Sequence, residues 1–265
     1  MSTLPRYILL ALIFLSGCTT TSTPTATRVL KASPEHSQLT IEPGVLTVAI
    51  DQAWPPFQYR DDSGQAAGFD VDLAGEIATR MGLGIKVIPG SWAAAQAMVR
   101  EETADCIFSL TPSEERAMVF DFSAVYLKTS AAVIVKTDSP ARKIEDLYDL
   151  KVAAESGSLG WIRSTLGSHY ERIRIVKTES IGESLKELQE NQVDAAVVGA
   201  KEVASYTARQ LGLEYRAVFE AAGSTSTIGV KKNKTALLDE INRTLAETKA
   251  DGTYSRLYER WFGKS

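Results

Sequence analysis

The stretch Phe69-Asp70-Val71-Asp72-Leu73-Ala74-Gly75-Glu76-Ile77-Ala78-Thr79-Arg80-Met81 runs through Gly82 and Gly84 into Ile85-Lys86-Val87-Ile88. Phe69, Leu73, Ile77 and Met81 recur every four positions, which puts them on one face of a helix. The two glycines end that helix. The short apolar run that follows reads as a strand. Upstream lies a matching run, Leu46-Thr47-Val48-Ala49-Ile50, a first strand. Strand, helix, strand is the unit from which parallel sheets are built.

The alternation continues outward. Trp92 to Arg100 reads as a helix and Asp105 to Leu110 as a strand. After Pro140 it resumes: strands at 151–155, 172–176 and 193–198, and helices at 159–166, 181–191 and 202–211. Two runs imply two α/β lobes, each with a mainly parallel sheet covered on both faces. Extended segments Ala131 to Lys136 and Thr227 to Lys231 lead into and out of the second lobe. Two such strands make a hinge, and hinged lobes close on ligands. Thr235 to Ala250 reads as a helix, with a last helical turn or two around Tyr254, Leu257, Tyr258, Trp261 and Phe262.

At 265 residues the chain is long enough for both lobes to hold a core. A net charge of −4, with no basic surplus, argues against nucleic acid as a partner. The N-terminus has the order of an export signal: Arg6, an apolar stretch Tyr7 to Leu15 too short for a permanent anchor, then Leu15-Ser16-Gly17-Cys18. This resembles a bacterial lipobox. Residues 1–17 are then a signal peptide, and Cys18 is the lipidated residue that holds the protein on the cell envelope. Residues 18–44, rich in Thr, Ser, Pro and Ala, form a tether. Cys106, inside an apolar run, reads as a small core residue rather than half of a disulfide.

Ligands of open α/β sheets bind beyond the carboxyl ends of the strands. Those positions hold Asp51, Trp54 and Phe57 after the first strand, and Trp92 after the second. Ser109, Leu110 and Thr111 end the third, with Arg116 a turn further on. Ser158 follows the first strand of the second lobe, and Gly199 follows its third. The set suits a small solute, partly flat or apolar, with an anionic end. Thr111-Pro112-Ser113-Glu114 reads as a capping box. Thr111 then either simply caps a helix, or helps to hold a carboxylate at that helix start with Arg116 as its bidentate partner. No metal cluster, cofactor loop or nucleophile motif is present.

These residues resemble the polar-amino-acid class of bacterial extracellular solute-binding proteins, which feed ABC importers. The signature Gly68-Phe69-Asp70-Val71-Asp72-Leu73, continued by Glu76-Ile77-Ala78, carries the likeness most strongly. Asp51 with Trp54 to Phe57, Thr111 to Arg116, Asp121-Phe122-Ser123, Asp251 to Tyr254 and Trp261-Phe262-Gly263 add to it. The resemblance implies a type II periplasmic-binding-protein fold, with one lobe at 45–134 plus 226–265 and the other at 135–225. It implies a monomer, without cofactor, that hands an amino acid or related carboxylate to permease subunits. It also implies roles. Trp54 and Trp92 flank the ligand side chain, and Asp51 faces its distal part. Ser109, Thr111 and Ser158 bond its carboxylate, with Arg116 as counter-ion.

One departure stands out. The family usually places an aspartate where this chain has Gly199, to bind the ligand ammonium. A buried ammonium without an acid is costly. Three readings follow: Glu202 reaches in, another acid such as Glu155 serves, or the ligand is not an α-amino acid. Two other functions stay open beside solute uptake. One is a cyclohexadienyl-dehydratase-like enzyme on the same fold. The other is a sensing module that acts in trans.

Overall fold

Apolar strands flanked by amphipathic helices build the framework over residues 38–263, which the computed structural model describes. The expected signal peptide, Cys18 and most of the expected tether lie outside the described residues. In the first half β1 (Val45–Asp51) leads into a small sheet of β2 (Ala53–Trp54), β3 (Gln58–Arg60) and β4 (Ala66–Ala67). Then come α1 (Phe69–Arg80), β5 (Gly84–Gly90), α2 (Trp92–Arg100), β6 (Cys106–Leu110), α3 (Glu114–Ala117), β7 (Phe120–Phe122) and β8 (Leu127–Lys136). The second half holds β9 (Lys151–Glu155), α4 (Leu159–Leu166), β10 (Arg174–Thr178), α5 (Ile181–Gln189), β11 (Ala195–Val198) and α6 (Lys201–Leu211). The long β12 (Tyr215–Lys231), α7 (Thr235–Ala250) and α8 (Thr253–Phe262) complete the chain.

The main sheet has the order β10-β9-β11-β8-β12-β6-β1-β5, with β7 beside β12. Pairing is parallel for β5-β1-β6 and for β10-β9-β11. It is antiparallel wherever β8 or β12 takes part, including their pairing with each other. The sheet is therefore more mixed than the alternation predicts. The reason is that β8 and β12 are connections between the two parallel halves rather than members of a βαβ unit.

Each half has a core on both faces. Phe69, Leu73 and Ile77 of α1 are wholly buried with Leu237, Ile241 and Leu245 of α7 on one face of β1 and β6. Ala95 and Val99 of α2 cover the other face. In the second half Ile162 and Leu166 of α4 cover one face, while α5 and α6 bring Leu185, Leu188, Ala204 and Ala208 to the other. Burial of a large apolar side chain contributes about 1.5–3 kcal/mol, so these separate clusters define two lobes. Cys106 is buried and free, with its thiol pKa pushed well above the ordinary value by burial.

Two glycines fix the geometry next to the cleft. Gly68 has φ 129°, and a Cβ there would lie 2.2 Å from the Phe57 carbonyl oxygen. Only glycine lets the chain turn into α1 against that backbone. Gly223 sits where the β8–β12 register shifts between Ala222 and Thr225. A Cβ there would meet Thr129 Oγ1 at 2.5 Å. That hydroxyl accepts from the Ser224 N–H at 2.9 Å, pinning the two hinge strands together at their bulge.

The Thr111–Glu114 capping box is not formed. Ser113 caps α3 instead, its Oγ accepting from the Arg116 N–H at 3.2 Å. Pro112 has no N–H and holds Thr111 in the extension of β6. With only four residues, α3 has almost no macrodipole, so the expected helix-start site for an anion is absent there.

Candidate ligand-binding site

A cavity of about 400 Å³ opens between the lobes at the carboxyl ends of the strands. The first lobe contributes Asp51, Trp54, Phe57, Trp92, Ser109 and Thr111 to its wall. Asp51 ends β1, where its Oδ1 accepts from the Ala53 N–H at 3.0 Å. Trp54 stacks on Phe57 with ring centroids 6.0 Å apart, and it stays half exposed on the cavity side while Phe57 is buried. Ser91 caps α2 through the Ala94 N–H, which sets Trp92 at the first helical position.

The second lobe supplies Glu155, Ser158, Trp161 and Gly199. Ser158 donates to Glu155 Oε2 at 2.9 Å across the turn between β9 and α4. The Trp161 Cζ3 atom lies 3.9 Å from where a Cβ on Gly199 would stand, so the indole borders the open space beside that glycine. The hinge strands add Thr129, Ser224 and Ser226.

Ser109 lines the cavity, but its hydroxyl is already committed. It donates to Asp70 Oδ2 at 2.7 Å, while Ser109 itself sits at φ 56° and gives its N–H to the Tyr126 hydroxyl at 2.9 Å. Asp70 is wholly buried and also accepts from the Tyr126 hydroxyl at 2.7 Å and from Gln58 Nε2 at 3.2 Å. No cation faces it among these partners. Burial pushes its pKa up to about 7, and the Ser109 and Tyr126 bonds only partly oppose this.

Three expected site residues stand elsewhere. Leu110 is wholly buried in the core beside α2. Arg116 is outside the lining; its Nη1 donates to the Thr111 carbonyl at 2.7 Å and its guanidinium lies 5.6 Å from the Trp92 ring centre. It therefore supports two wall residues from behind. Glu202 is buried where α6 meets α8. Its Oε1 accepts from the Tyr258 hydroxyl at 3.0 Å, its Oε2 has no partner, and burial raises its pKa. Of the two acids considered as substitutes at Gly199, Glu155 lines the cavity and Glu202 does not.

Sequence reasoning passed over Trp161 and the hinge hydroxyls. Trp161 stands in the first turn of α4 much as Trp92 opens α2, a parallel that was readable. The run Gly223-Ser224-Thr225-Ser226-Thr227 in an extended segment was a second readable signal.

Two α/β lobes joined by two strands, with a cavity between them, are the architecture of type II periplasmic binding proteins. The chain belongs to the bacterial extracellular solute-binding proteins, family 3, whose profile matches residues 46–264. It is 27% identical over 229 residues to the L-cystine-binding protein TcyA of Bacillus subtilis, covering 83% of this chain and 82% of that one. It is 25% identical to the ABC transporter arginine-binding protein 1 of Escherichia coli, covering 82% and 90%. Among solved structures it resembles an ancestral amino-acid-binding protein, AncCDT-1, described as a precursor of cyclohexadienyl dehydratase. The identity is 28%, the coverage 83% and 96%, and the TM-score 0.59. A second structure of that protein, described as a cationic amino acid solute binding protein, gives a TM-score of 0.70.

Proposed function

We propose that the protein captures an amino acid between its lobes, 45–134 plus 226–265 and 135–225, and delivers it to ABC permease subunits as a monomer. The observation that carries this is the cavity wall, which draws on both lobes and both hinge strands. A solute that touches Thr111 and Trp92 on one side and Ser158 and Trp161 on the other gains contacts that no single lobe offers. That difference drives closure. Named relatives bind cystine and arginine, which supports an amino acid as the solute. Trp54 and Trp92 are read as flanking the ligand side chain. Thr111 is read as a donor to its carboxylate, with Arg116 bracing Thr111, while Ser158, whose hydroxyl proton goes to Glu155, is read as meeting the ligand beside that acid.

The test is thermal unfolding of the full chain, freed of bound solute by unfolding and refolding, against the common amino acids. A ligand at a hundred times its Kd adds about 2.7 kcal/mol. No shift with any of them would refute the reading. Export and lipid attachment at Cys18 belong to the same proposal. Cys18→Ser is expected to move the protein from the membrane to the soluble fraction, and retention on the membrane would reject the anchor.

The dehydratase precursor motivates a second reading, in which a cavity carboxyl donates a proton to a bound substrate. Chromatography of the bound solute after long incubation separates the two. Recovery of the solute unchanged supports a carrier, and turnover supports an enzyme.

A further inference from the structure

Among the described residues, the cavity wall contains two carboxylates, Asp51 and Glu155, and no lysine, arginine or histidine. They come from opposite lobes, each at the carboxyl end of the first strand of its half. Asp51 Oδ1 and Glu155 Oε2 make local hydrogen bonds to Ala53 and Ser158. Neither residue forms a salt bridge among the described residues. Arg116, beside the wall residues Thr111 and Trp92, is turned to the Thr111 carbonyl and lies over the Trp92 ring.

We propose that this site, read as an amino-acid-binding cleft, selects solutes that carry two separated positive groups, with Glu155 as the counter-ion in the second lobe and Asp51 in the first. Closure around a neutral amino acid would shut one carboxylate into a shrinking, water-poor space without a cation, which is unfavourable. A solute with both an ammonium and a distal cation neutralises both. Trp161 strengthens the second-lobe subsite. Its indole borders Gly199 and lines the cavity, and an aromatic ring there can attract a cation. Ser158 positions the Glu155 carboxylate by holding one oxygen and leaving the other for the ligand.

The test uses the full chain, stripped of solute by unfolding and refolding, in calorimetric titrations with arginine, lysine, glutamine and glutamate. Citrulline serves as the uncharged isostere of arginine. Arginine or lysine is expected to bind at least about tenfold more tightly than citrulline, as one lost charge-assisted bond implies. Glu155→Gln and Asp51→Asn should each cost the cationic ligand about tenfold to a hundredfold while leaving the melting temperature of the free protein within about 3 °C. Ser158→Ala should cost less than Glu155→Gln. Binding of citrulline or glutamine as tight as that of arginine would overturn the charge selection and leave the amino-acid reading standing. Unchanged affinity in Glu155→Gln would remove Glu155 from the site. Binding of none of the five would overturn the inference together with the amino-acid reading.

Discussion

Asp70 makes the folded protein less stable as the solution turns from acid to neutral. Its carboxyl is wholly buried, held by Ser109, Tyr126 and Gln58, and its pKa rises from the ordinary 3.8 to about 7. A raised folded pKa means that the folded state binds the proton more tightly. The stability this gives is complete below about pH 4 and is lost as pH rises toward 7, the reverse of a salt-bridged carboxylate. At 1.36 kcal/mol per pH unit, the loss between pH 5 and pH 8 is about 2.5 kcal/mol. Asp70→Asn removes it. An asparagine can keep its oxygen toward Ser109 and Gln58 and offer its NH2 to the Tyr126 oxygen, so the network keeps its partners in one orientation. The assay is urea unfolding followed by tryptophan fluorescence at pH 5 and pH 8. The stability of Asp70→Asn relative to the parent should rise by about 2.5 kcal/mol between the two. A relative stability constant to within about 0.5 kcal/mol would show that Asp70 is not the buried, unpaired acid described here.

Other perturbations have equally definite outcomes. Arg116→Ala removes the brace on Thr111 and the cation over Trp92, and should weaken ligand binding about tenfold with little change in melting; full affinity would detach Arg116 from the site. Gly68→Ala forces a Cβ onto the Phe57 carbonyl at a φ reserved for glycine, and should cost about 3 kcal/mol or more in urea unfolding. A stable Gly68→Ala protein would contradict that geometry. Glu202→Gln keeps an acceptor for Tyr258 and removes a buried charge whose pKa burial has raised. It should therefore stabilise by about 1 kcal/mol at pH 8, and the gain should fade toward pH 4. A destabilisation at pH 8 would show that the charge is needed there.

The fold was legible where residues repeat with a clear period. Phe69, Leu73, Ile77 and Met81 marked α1, and the bounds read for α2, α4 and α7 coincide with those of the structure. The small sheet of β2, β3 and β4 was not legible, because strands of two or three residues show no alternation. β7 was missed for the same reason. The start of α3 was misread because Thr111 and Ser113 are both good caps, and only the path of β6 decides between them. In the site, the rule that ligands lie past strand ends located most of the wall. It could not tell that Leu110 faces the core, because a strand end has two sides and one residue of register decides which is used. Glu202 escaped for another reason. Its position follows from α6 packing on α8, a contact between segments more than fifty residues apart.

This division explains why the family is plain in the sequence while the solute is not. The residues that carry the family resemblance most strongly hold the frame together and do not line the cavity. Asp72 accepts from Trp261 Nε1 at 2.5 Å and pairs with Arg260. Phe69 packs on Phe262 at 5.0 Å between ring centres, and Arg80 bonds Asp251 at 2.6 Å. The signature near residue 70 and the C-terminal motif are thus two halves of one contact. A change in either must be matched by the other for the lobe to keep its C-terminal helix. Glu155 ends β9, Trp161 lies in the first turn of α4 and Gly199 follows β11, so the strands beneath them set their backbone. A substitution there changes the cavity wall without touching those contacts. Asp70 joins the two roles, since the same carboxylate that anchors the start of α1 also holds Ser109 at the cavity wall. The residues at the strand ends on the cavity wall can therefore change while the frame persists.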